Sequence, residues 1–339
     1  MAAPLTLFDR RFWFLSLALA FGLIALSLLA VGLGAVQVGL SDLWTILSRG
    51  GQPGVPELEG LAAIVWQVRL PRVLLGALAG VGLAVAGVAW QGVLRNPLAD
   101  PYLIGASAGG ALGAAVAILF VGGGALVPLL AFGGSLAAVA IVYQMAHEPG
   151  RGLSVERLIL AGVAVSAFLS ALLSLAAFVR QESFTQLYFW LVGGLSGRGW
   201  EHLGMVTPYA AVAIAGIVYF TPRLNLMQMG EETAHGLGVD VVRDQRWVIG
   251  LAALLTAAVV AVCGMIGFVG LIIPHLARLI VGPDLRRVLP TAALLGASLL
   301  VGADLFSRLV WAPVEVPVGI LTAMAGAPFF LYLLMRARS

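Results

Sequence analysis

Few residues in this chain have the types and spacing that catalysis or metal binding requires. The one plausible acid–base pair is His275 with Asp304, which could serve an intramembrane enzyme if the two side chains came within hydrogen-bond reach. Asp304 also precedes Arg308 by one helical turn, the spacing of a carboxylate–guanidinium ion pair. The other histidines are isolated, and the single cysteine, Cys263, lies in an apolar run. We therefore predict no catalytic residue and no metal site.

The basic residues argue against a nucleotide-binding P-loop in this chain. Lysine and arginine together number 19, and every one of them is arginine. A phosphate-cradling P-loop needs the lysine of its Gly-Lys-Ser/Thr ending, so this chain lacks an ordinary one. We expect the chain to bind no cofactor itself, and any ATP and magnesium to be bound by a separate partner polypeptide.

The composition defines the class of protein. Of the 339 residues, 61% are hydrophobic and 10% are charged, and 43 are glycine, which is far from the balance of a soluble domain. The predicted fold class is an all-α polytopic membrane protein surrounded by lipid. Arginines in the loops of such a protein report its orientation, so we expect no nucleic-acid partner.

Apolar runs of about 20 residues, enough to cross the hydrocarbon of a bilayer, predict the membrane spans. The first run, 12–34, is too long for the core of a cleaved signal peptide and is expected to remain as a span. Eight further spans are predicted at 71–91, 102–121, 126–146, 155–179, 203–220, 247–263, 288–308 and 316–335. A shorter run, 274–281, follows the glycine-broken stretch 264–270 and predicts a half-span beside a transport pathway.

Ten crossings, counting the half-span, put both termini on one side and divide the arginines unequally. The richer side holds thirteen, at positions 10, 11, 95, 151, 157, 223, 243, 246, 278, 286, 287, 336 and 338. The other side holds six, at positions 49, 69, 72, 180, 198 and 308. The positive-inside rule makes the richer side cytoplasmic.

The longest polar interruption, 221–240, is therefore predicted to face the cytoplasm. Asn225 can cap one short helix that Gly230 ends, and two glutamates can begin a second helix closed by Gly236 or Gly238. We call residues 224–239 the knob. Its exposed face would carry Leu226, Met227 and Met229, side chains that fill irregular grooves on a partner protein. The alternative is an ordinary solvated linker.

Seven motifs, in a fixed order and spacing, carry a resemblance to a known family. They lie at 69–72, 91–101, 224–238, 267–278, 304–308, 315–319 and 326–330. Together they resemble the permease family of type II ABC importers for iron-siderophores, haem and cobalamin, over nearly the whole chain. Any one motif alone would be weak, but the set is specific.

The resemblance implies a single permease domain over 1–339, with cytoplasmic coupling helices at about 222–240, that forms a homodimer. It places the protein in the bacterial cytoplasmic (inner) membrane with both termini cytoplasmic. The implied partners are two ABC ATPase subunits on the cytoplasmic side and a periplasmic or extracellular substrate-binding protein. The implied substrate is a metal chelate, moved inward by alternating access. Siderophore, haem and cobalamin permeases share these motifs, so the particular chelate stays open.

Three sets of residues follow from the resemblance. Coupling to the ATPase is expected at Leu224, Asn225, Leu226, Met227, Met229, Gly230, Glu231, Glu232, Leu237 and Gly238. Docking of the binding protein is expected at Arg69, Arg72 and Arg308. The alternative for these arginines is that they anchor to lipid headgroups or pair internally, Arg308 with Asp304. The translocation pathway is expected to include Ala161, Gly162, Val165, Ser166, Leu169 and Ser170 of the fifth span.

An ion-coupled secondary transporter of a small organic solute is the alternative function. Such a carrier needs ionisable side chains near the middle of its spans to relay the ion. In this sequence the acidic residues fall in loops or at span ends, and the span interiors carry almost none. The apolar span interiors favour the importer, since a smooth wall suits a large chelate that is carried without tight binding.

Overall fold

The computed structural model describes residues 10–51, 58–148 and 152–336. These residues are almost entirely helical, with one antiparallel pair of two-residue strands, β1 (His147–Glu148) and β2 (Gly152–Leu153). The α-helices are α1 Arg10–Gly32, α2 Leu40–Ser48, α3 Glu59–Ala63, α4 Leu70–Leu94, α5 Ala106–Val116, α6 Leu126–Ala146, α7 Val155–Val179, α8 Phe184–Leu191, α9 Trp200–Gln228, α10 Glu231–Gly236, α11 Val241–Cys263, α12 Val269–Val281, α13 Leu285–Leu309 and α14 Val318–Arg336. Short π-helical or 3-10 segments occupy Ile64–Arg69, Pro101–Ile104, Ala117–Val121 and Gln181–Ser183.

Seven of the described helices are long and apolar enough to cross a membrane. They are α1, the continuous helix Glu59–Leu94, α6, α7, α9, α11 and α13. Three shorter apolar segments, Ala106–Val121, Val269–Val281 and Val318–Tyr332, occupy the remaining predicted positions. The all-helical membrane fold is thus confirmed. The exact number of ten crossings stays a prediction, because these three segments are shorter than a full span.

Helices α4 and α13 form the centre of the bundle and run antiparallel, since Arg72 at the start of α4 pairs with Asp304 near the end of α13. Their backbones come into contact midway: a Cβ at Gly80 would lie 2.1 Å from the carbonyl oxygen of Gly296. Small residues at such crossings let helices approach closely. The two central helices therefore connect the two ends of the bundle over about 37 Å, from the rise of 25 helical residues.

The glycine-rich start of α5 forms a packing seam against α6. A Cβ at Gly109 would lie 2.2 Å from the carbonyl oxygen of Gly134, and one at Gly113 would lie 2.0 Å from that of Leu130. Ser135 of α6 donates a hydrogen bond of 2.8 Å to the carbonyl oxygen of Ala106. This stretch of small residues therefore packs helix against helix.

Two residues with positive φ lie in the break between α11 and α12. Gly264 has φ 70° directly after α11, and Phe268 has φ 68° although it carries a side chain. The following helix, α12, has 13 residues and so rises about 20 Å, less than the roughly 30 Å of a bilayer core. The predicted half-span is thus a short helix, and it begins at Val269 rather than at Pro274.

The second span begins earlier than the predicted 71–91. The Arg-Leu-Pro-Arg motif at 69–72 does not open the helix, because a continuous helix already runs from Glu59 through a π-helical turn. Pro71 falls in the first turn of α4. Pro71 directly follows the π-helical turn, where the N–H of Leu70 donates to the carbonyl oxygen of Val65. The missing N–H of the proline therefore falls where the regular α-helical hydrogen-bond pattern is already interrupted.

Candidate functional site

The knob, 224–239, begins inside α9 and not as a separate helix. Helix α9 continues to Gln228, and Gly230, with φ 114°, then breaks the chain before α10. Gly238, with φ 81°, follows α10. The predicted first short helix is therefore wrong, because the membrane helix extends through that stretch. The break at Gly230 and the second helix are present.

Asn225 caps a different helix from the one predicted. Its Nδ2 donates to Asp284 Oδ1 at 2.6 Å, and the backbone N–H of Leu285 donates to Asn225 Oδ1 at 2.9 Å. Asp284 is the N-cap of α13 and accepts from the N–H of Arg286. The prediction failed because Asn225 lies within α9, where its amide can reach the unpaired N–H groups at the start of α13. Helices α9 and α13 are joined at this point.

The apolar surface of the knob is smaller than predicted. Three of its apolar side chains are wholly or partly buried: Leu224, Met227 and Leu226. Met229 and Leu237 are 67% and 60% exposed, on either side of α10, and both glutamates of α10 are exposed. A partner protein could thus contact Met229 and Leu237, whereas Leu224 and Met227 belong to the chain's own core.

One ion pair joins the knob to a neighbouring helix, and a second lies directly beside the knob at the same end of the bundle. Arg95, in a left-handed conformation directly after α4, pairs with Glu231 of α10 at 2.5 Å. Arg223 of α9 pairs with Asp244 of α11 at 3.4 Å. Because Arg95 and Glu231 are exposed, their ion pair adds little to the stability of the fold and mainly fixes the position of α10. Helix α10 is thereby held against the end of α4.

Three arginines are buried at the opposite end of the bundle. Arg69, Arg72 and Arg308 are 6%, 6% and 8% exposed. Arg69 donates to the carbonyl oxygens of Val31 and Gly32, at 2.9 Å each. These carbonyls belong to the last turn of α1, whose oxygens have no donor within the helix. Arg69 therefore closes the end of α1.

Arg72, Asp304, Arg308 and Glu315 form what we call the charge cluster. Arg72 Nε donates to Asp304 Oδ1 at 2.9 Å, and its Nη1 donates to both oxygens of Glu315 at 2.9 and 3.0 Å. Arg308 Nε donates to Asp304 Oδ2 at 3.1 Å, and its two Nη atoms donate to carbonyls at the end of α1. Each oxygen of Asp304 thus faces an arginine, as a buried carboxylate requires.

The internal pairing offered as the alternative role of the three arginines is present, including the one-turn pair of Arg308 with Asp304. Their guanidinium groups are buried and donate within the chain, so they present little charge to an outside protein. Docking of a binding protein at Arg69, Arg72 and Arg308 stays a prediction.

Glu315 is the exposed member of the charge cluster, on the segment between α13 and α14. Burial by itself would raise the pKa of its carboxyl group. The charge and hydrogen bonds of Arg72, a hydrogen bond from Ser196 and the charge of Arg308 together outweigh burial, so the pKa of Glu315 lies below its ordinary value. The cluster therefore keeps its second carboxylate ionised at neutral pH.

The predicted pathway residues on α7 do not share one open surface. Ala161 and Gly162 are buried, and a Cβ at Gly162 would lie 2.3 Å from the carbonyl oxygen of Leu103. The half-buried members are Val165, Ser166 and Leu169. Ser170 is exposed. The role of these residues in a pathway stays a prediction, with Ser170 on the exposed side of the helix.

The residues considered for enzyme chemistry are otherwise engaged. Asp304 gives both carboxylate oxygens to Arg72 and Arg308, which leaves it no role as a proton acceptor for His275. Among the described residues, no group of three or more histidine, cysteine, aspartate or glutamate side chains could hold a metal ion.

One contact was missed by reasoning from the sequence. Arg278 of α12 donates to Gln91 Oε1 of α4, and Gln91 Nε2 donates to the carbonyl oxygen of Leu271 at 3.2 Å. This contact clamps the half-span α12 to α4. The sequence offered one indication of this contact: Gln91 and Arg278 each belong to a family motif, 91–101 and 267–278, and residues of two such motifs can meet in the fold.

Membrane-crossing helices, a short half-span, the knob at one end and the charge cluster at the other are typical of a multi-span transport permease. The family comparison agrees with this class. Residues 22–336 match the FecCD transport family, and the chain belongs to that family.

Named relatives of this chain are transporter permeases and not enzymes. It is 43% identical over 288 residues to the cobalamin import system permease protein BtuC of Halobacterium salinarum, covering 84% of this chain and 76% of the relative. It is 39% identical over 338 residues to the hemin transport system permease protein HmuU of Yersinia pestis, covering 95% and 96%. It is 37% identical over 329 residues to the Fe(3+) dicitrate transport system permease protein FecD of Escherichia coli, covering 96% and 98%.

A solved structure has the same fold. It is described as an inward-facing conformation of a metal-chelate type ABC transporter, and it superposes with a TM-score of 0.84 at 32% sequence identity. The match covers 95% of this chain and 99% of the other. This chain is thus a permease of the metal-chelate ABC importer family, and like the named relatives it is not itself an enzyme.

Proposed function

We propose that this chain is the membrane subunit of an ATP-binding cassette importer that moves a metal chelate into the cytoplasm by alternating access. The observation that carries the proposal is the likeness, over 95% of the chain, to a metal-chelate type ABC transporter. The relatives are named for cobalamin, hemin and ferric dicitrate, so the proposal stops at the chelate class.

The proposed assembly is a homodimer with two ATPase subunits on the cytoplasmic side and a substrate-binding protein outside. ATP and magnesium would be bound by the ATPase subunits, since the chain has no lysine for a P-loop. The broad exposed apolar face of α7 supports a partner or lipid at that surface, for example at Leu160, Val163 and Phe168. The proposed location is the bacterial inner membrane.

The proposed orientation puts the knob in the cytoplasm and the charge cluster outside. It rests on the unequal division of arginines between the two sides. Of the thirteen arginines counted as cytoplasmic, Arg151 and Arg338 lie outside the described residues. The described ones include Arg95, Arg223 and Arg243, all at the knob end.

The proposed motion begins at the exposed part of the knob. Closure of the ATPases would press on Met229 and Leu237, and Gly230 would act as the hinge because its φ of 114° gives α10 its own direction. The Asn225–Asp284 contact would pass the displacement to α13. Helix α13 ends in the charge cluster, so both ends of the bundle would respond together.

Purification with partners tests the proposed assembly. The permease is expressed together with an ATPase subunit of the same importer family, and native mass spectrometry measures the mass of the purified complex. We expect two permease copies with two ATPase copies, and the further addition of one binding protein when that protein is supplied. A permease that purifies without any ATPase, as monomer or dimer, would contradict the proposal.

A further inference from the structure

The starts of α1 and α13 bring four arginines together at the knob end of the bundle, where Asp284 contacts Asn225 of the knob. The two helices run side by side in the same direction. At their starts, Arg287 Cζ lies 5.8 Å from the centroid of the Phe12 ring, and at their ends Arg308 donates to carbonyls of α1. What we call the basic patch consists of Arg10, Arg11, Arg286 and Arg287.

The charge of the basic patch exceeds that of the carboxylates beside it in the chain. These are Asp284, the N-cap of α13, and Asp9, which precedes α1 and lies outside the described residues. Four arginines against two aspartates leave a surplus of two positive charges. At the same end, the glutamate of α10 and the aspartate of α11 described above pair with arginines of their own. Arg10 and Arg286 are exposed, so the surplus charge can be reached by a ligand.

The face of α1 that begins at Arg10 is exposed and apolar. Trp13, Phe14, Leu17 and Phe21 lie on the same side of the helix as Arg10 and are between 53% and 76% exposed. With 23 residues, α1 rises about 34 Å, which is more than the roughly 30 Å of a bilayer core. Its first turn therefore lies at the level of the lipid headgroups, the depth that tryptophan favours.

We infer that the basic patch binds the phosphate of an anionic phospholipid, with Arg10 and Arg286 as donors and with Trp13 and Phe14 beside the acyl chains. The planar donors of arginine suit phosphate oxygens, and charge-assisted hydrogen bonds are the stronger ones. Basic residues next to a membrane span attract anionic lipids. The bound lipid bridges the starts of α1 and α13. Its binding needs only a membrane around the chain, whereas the assignment to the cytoplasmic leaflet rests on the proposed function.

Native mass spectrometry of the full chain in detergent tests the inference. The anionic probe is dioleoylphosphatidylglycerol, and the zwitterionic comparison is dioleoylphosphatidylcholine. We expect the anionic lipid to bind about tenfold or more tightly, because only its net charge is attracted by the surplus. Arg10→Gln and Arg286→Gln should each weaken its binding about fivefold. Arg10→Lys keeps the charge and should lose less affinity than Arg10→Gln.

Arg180→Gln is the matched control for these variants. Arg180 is also an exposed arginine, but it follows the end of α7 and lies over the ring of Phe120. It belongs to the six arginines assigned to the other side of the membrane. The affinity of Arg180→Gln for the anionic lipid should equal that of the wild type.

Four outcomes would overturn the inference. The first is equal affinity for the two lipids, and the second is an equal loss of affinity in Arg180→Gln. The third is unchanged affinity in both Arg10→Gln and Arg286→Gln, with thermal unfolding showing that the variants are folded. The fourth is that glycerol phosphate, which has no acyl chains, binds as tightly as the lipid, since the patch would then be a site for free phosphate. ATP-driven uptake is measured separately, so these outcomes are distinguishable from a failure of the proposed function.

Discussion

The buried charged residues at the charge-cluster end of the bundle either pair with one another or donate to backbone carbonyls at the end of α1. Asp304 lies between Arg72 and Arg308, and Arg69 closes the end of α1. Removing one partner from such a buried set leaves an uncompensated charge and costs about 3 to 5 kcal/mol. We infer that these residues hold three helix ends together, which is a structural role at the same positions where docking is predicted.

The lowered pKa of Glu315 makes one contact of the charge cluster dependent on pH. A carboxylate whose pKa is lower in the folded than in the unfolded state adds stability above the unfolded value, and that stability is lost as the pH falls through the folded value. We expect the difference in melting temperature between the wild type and Glu315→Gln to be largest near neutral pH. It should shrink below the ordinary pKa of glutamate, about 4.3.

The measurement is thermal unfolding of both proteins in detergent from neutral to acidic pH. Glu182→Gln is the matched control, since Glu182 is exposed and belongs to the Gln181–Ser183 segment, away from the cluster. A difference in melting temperature between the wild type and Glu315→Gln that stays constant with pH, or grows on acidification, would contradict the assigned ion pair.

Asn225 gives a second prediction for a single residue. Asn225→Ala removes the bonds to Asp284 and to the N–H of Leu285, so α9 and α13 lose their link at the knob end. Loss of a cap of this kind costs about 1 to 2 kcal/mol. We expect basal ATPase activity of the assembled transporter to persist while uptake per ATP hydrolysed falls. Both rates are measured in proteoliposomes.

Gln228→Ala is the control for Asn225→Ala. Gln228 is exposed and lies one turn farther along α9, so its removal should leave the coupling ratio unchanged. If Asn225→Ala gives the same uptake per ATP hydrolysed as Gln228→Ala, the contact of Asn225 with the start of α13 does not transmit motion between α9 and α13.

The helices themselves were largely predictable from the sequence, because hydrocarbon-spanning runs are a property of local composition. The predicted 126–146 and 155–179 coincide with α6 and α7. Helix ends were less predictable where a polar residue finds a distant partner. From the local sequence Asn225 is predicted to cap a short helix. In the structure its partner is Asp284, 59 residues away, and α9 continues past Asn225 to Gln228. Likewise, the spacing of Arg308 and Asp304 shows their pairing, whereas the contact of Arg72 with Glu315 depends on the fold.

Among the elements, α10 is the one whose direction depends on a single residue. Gly230 has φ 114°, which L-residues with a side chain rarely adopt, so Gly230→Ala strains the hinge. We expect Gly230→Ala to lower uptake and ATPase stimulation together, with little change in membrane insertion. Gly236→Ala is the matched control, because Gly236 ends α10 with open space around its Cα and no positive φ. Normal ATPase stimulation in Gly230→Ala would contradict the hinge assignment.

The whole molecule is a bundle whose two ends differ in chemistry. The knob end exposes a hinged helix with Met229 and Leu237, and the other end buries its arginines in the charge cluster. A device driven by ATPases at one end needs rigid elements that reach the other, and the antiparallel pair α4 and α13 supplies them. An ion-coupled carrier would instead need an ionisable residue free to change its charge within a span, whereas Asp304 is paired on both oxygens.

ATP-driven uptake into proteoliposomes tests the central claim most directly. The permease is reconstituted with its ATPase and binding protein, and accumulation of a radiolabelled metal chelate bound to that protein is followed with ATP present, with ATP absent, and with a proton gradient alone. We predict accumulation that requires ATP and the binding protein and is unchanged when the proton gradient is collapsed. Accumulation driven by the proton gradient in the absence of ATP would contradict the account and favour an ion-coupled carrier.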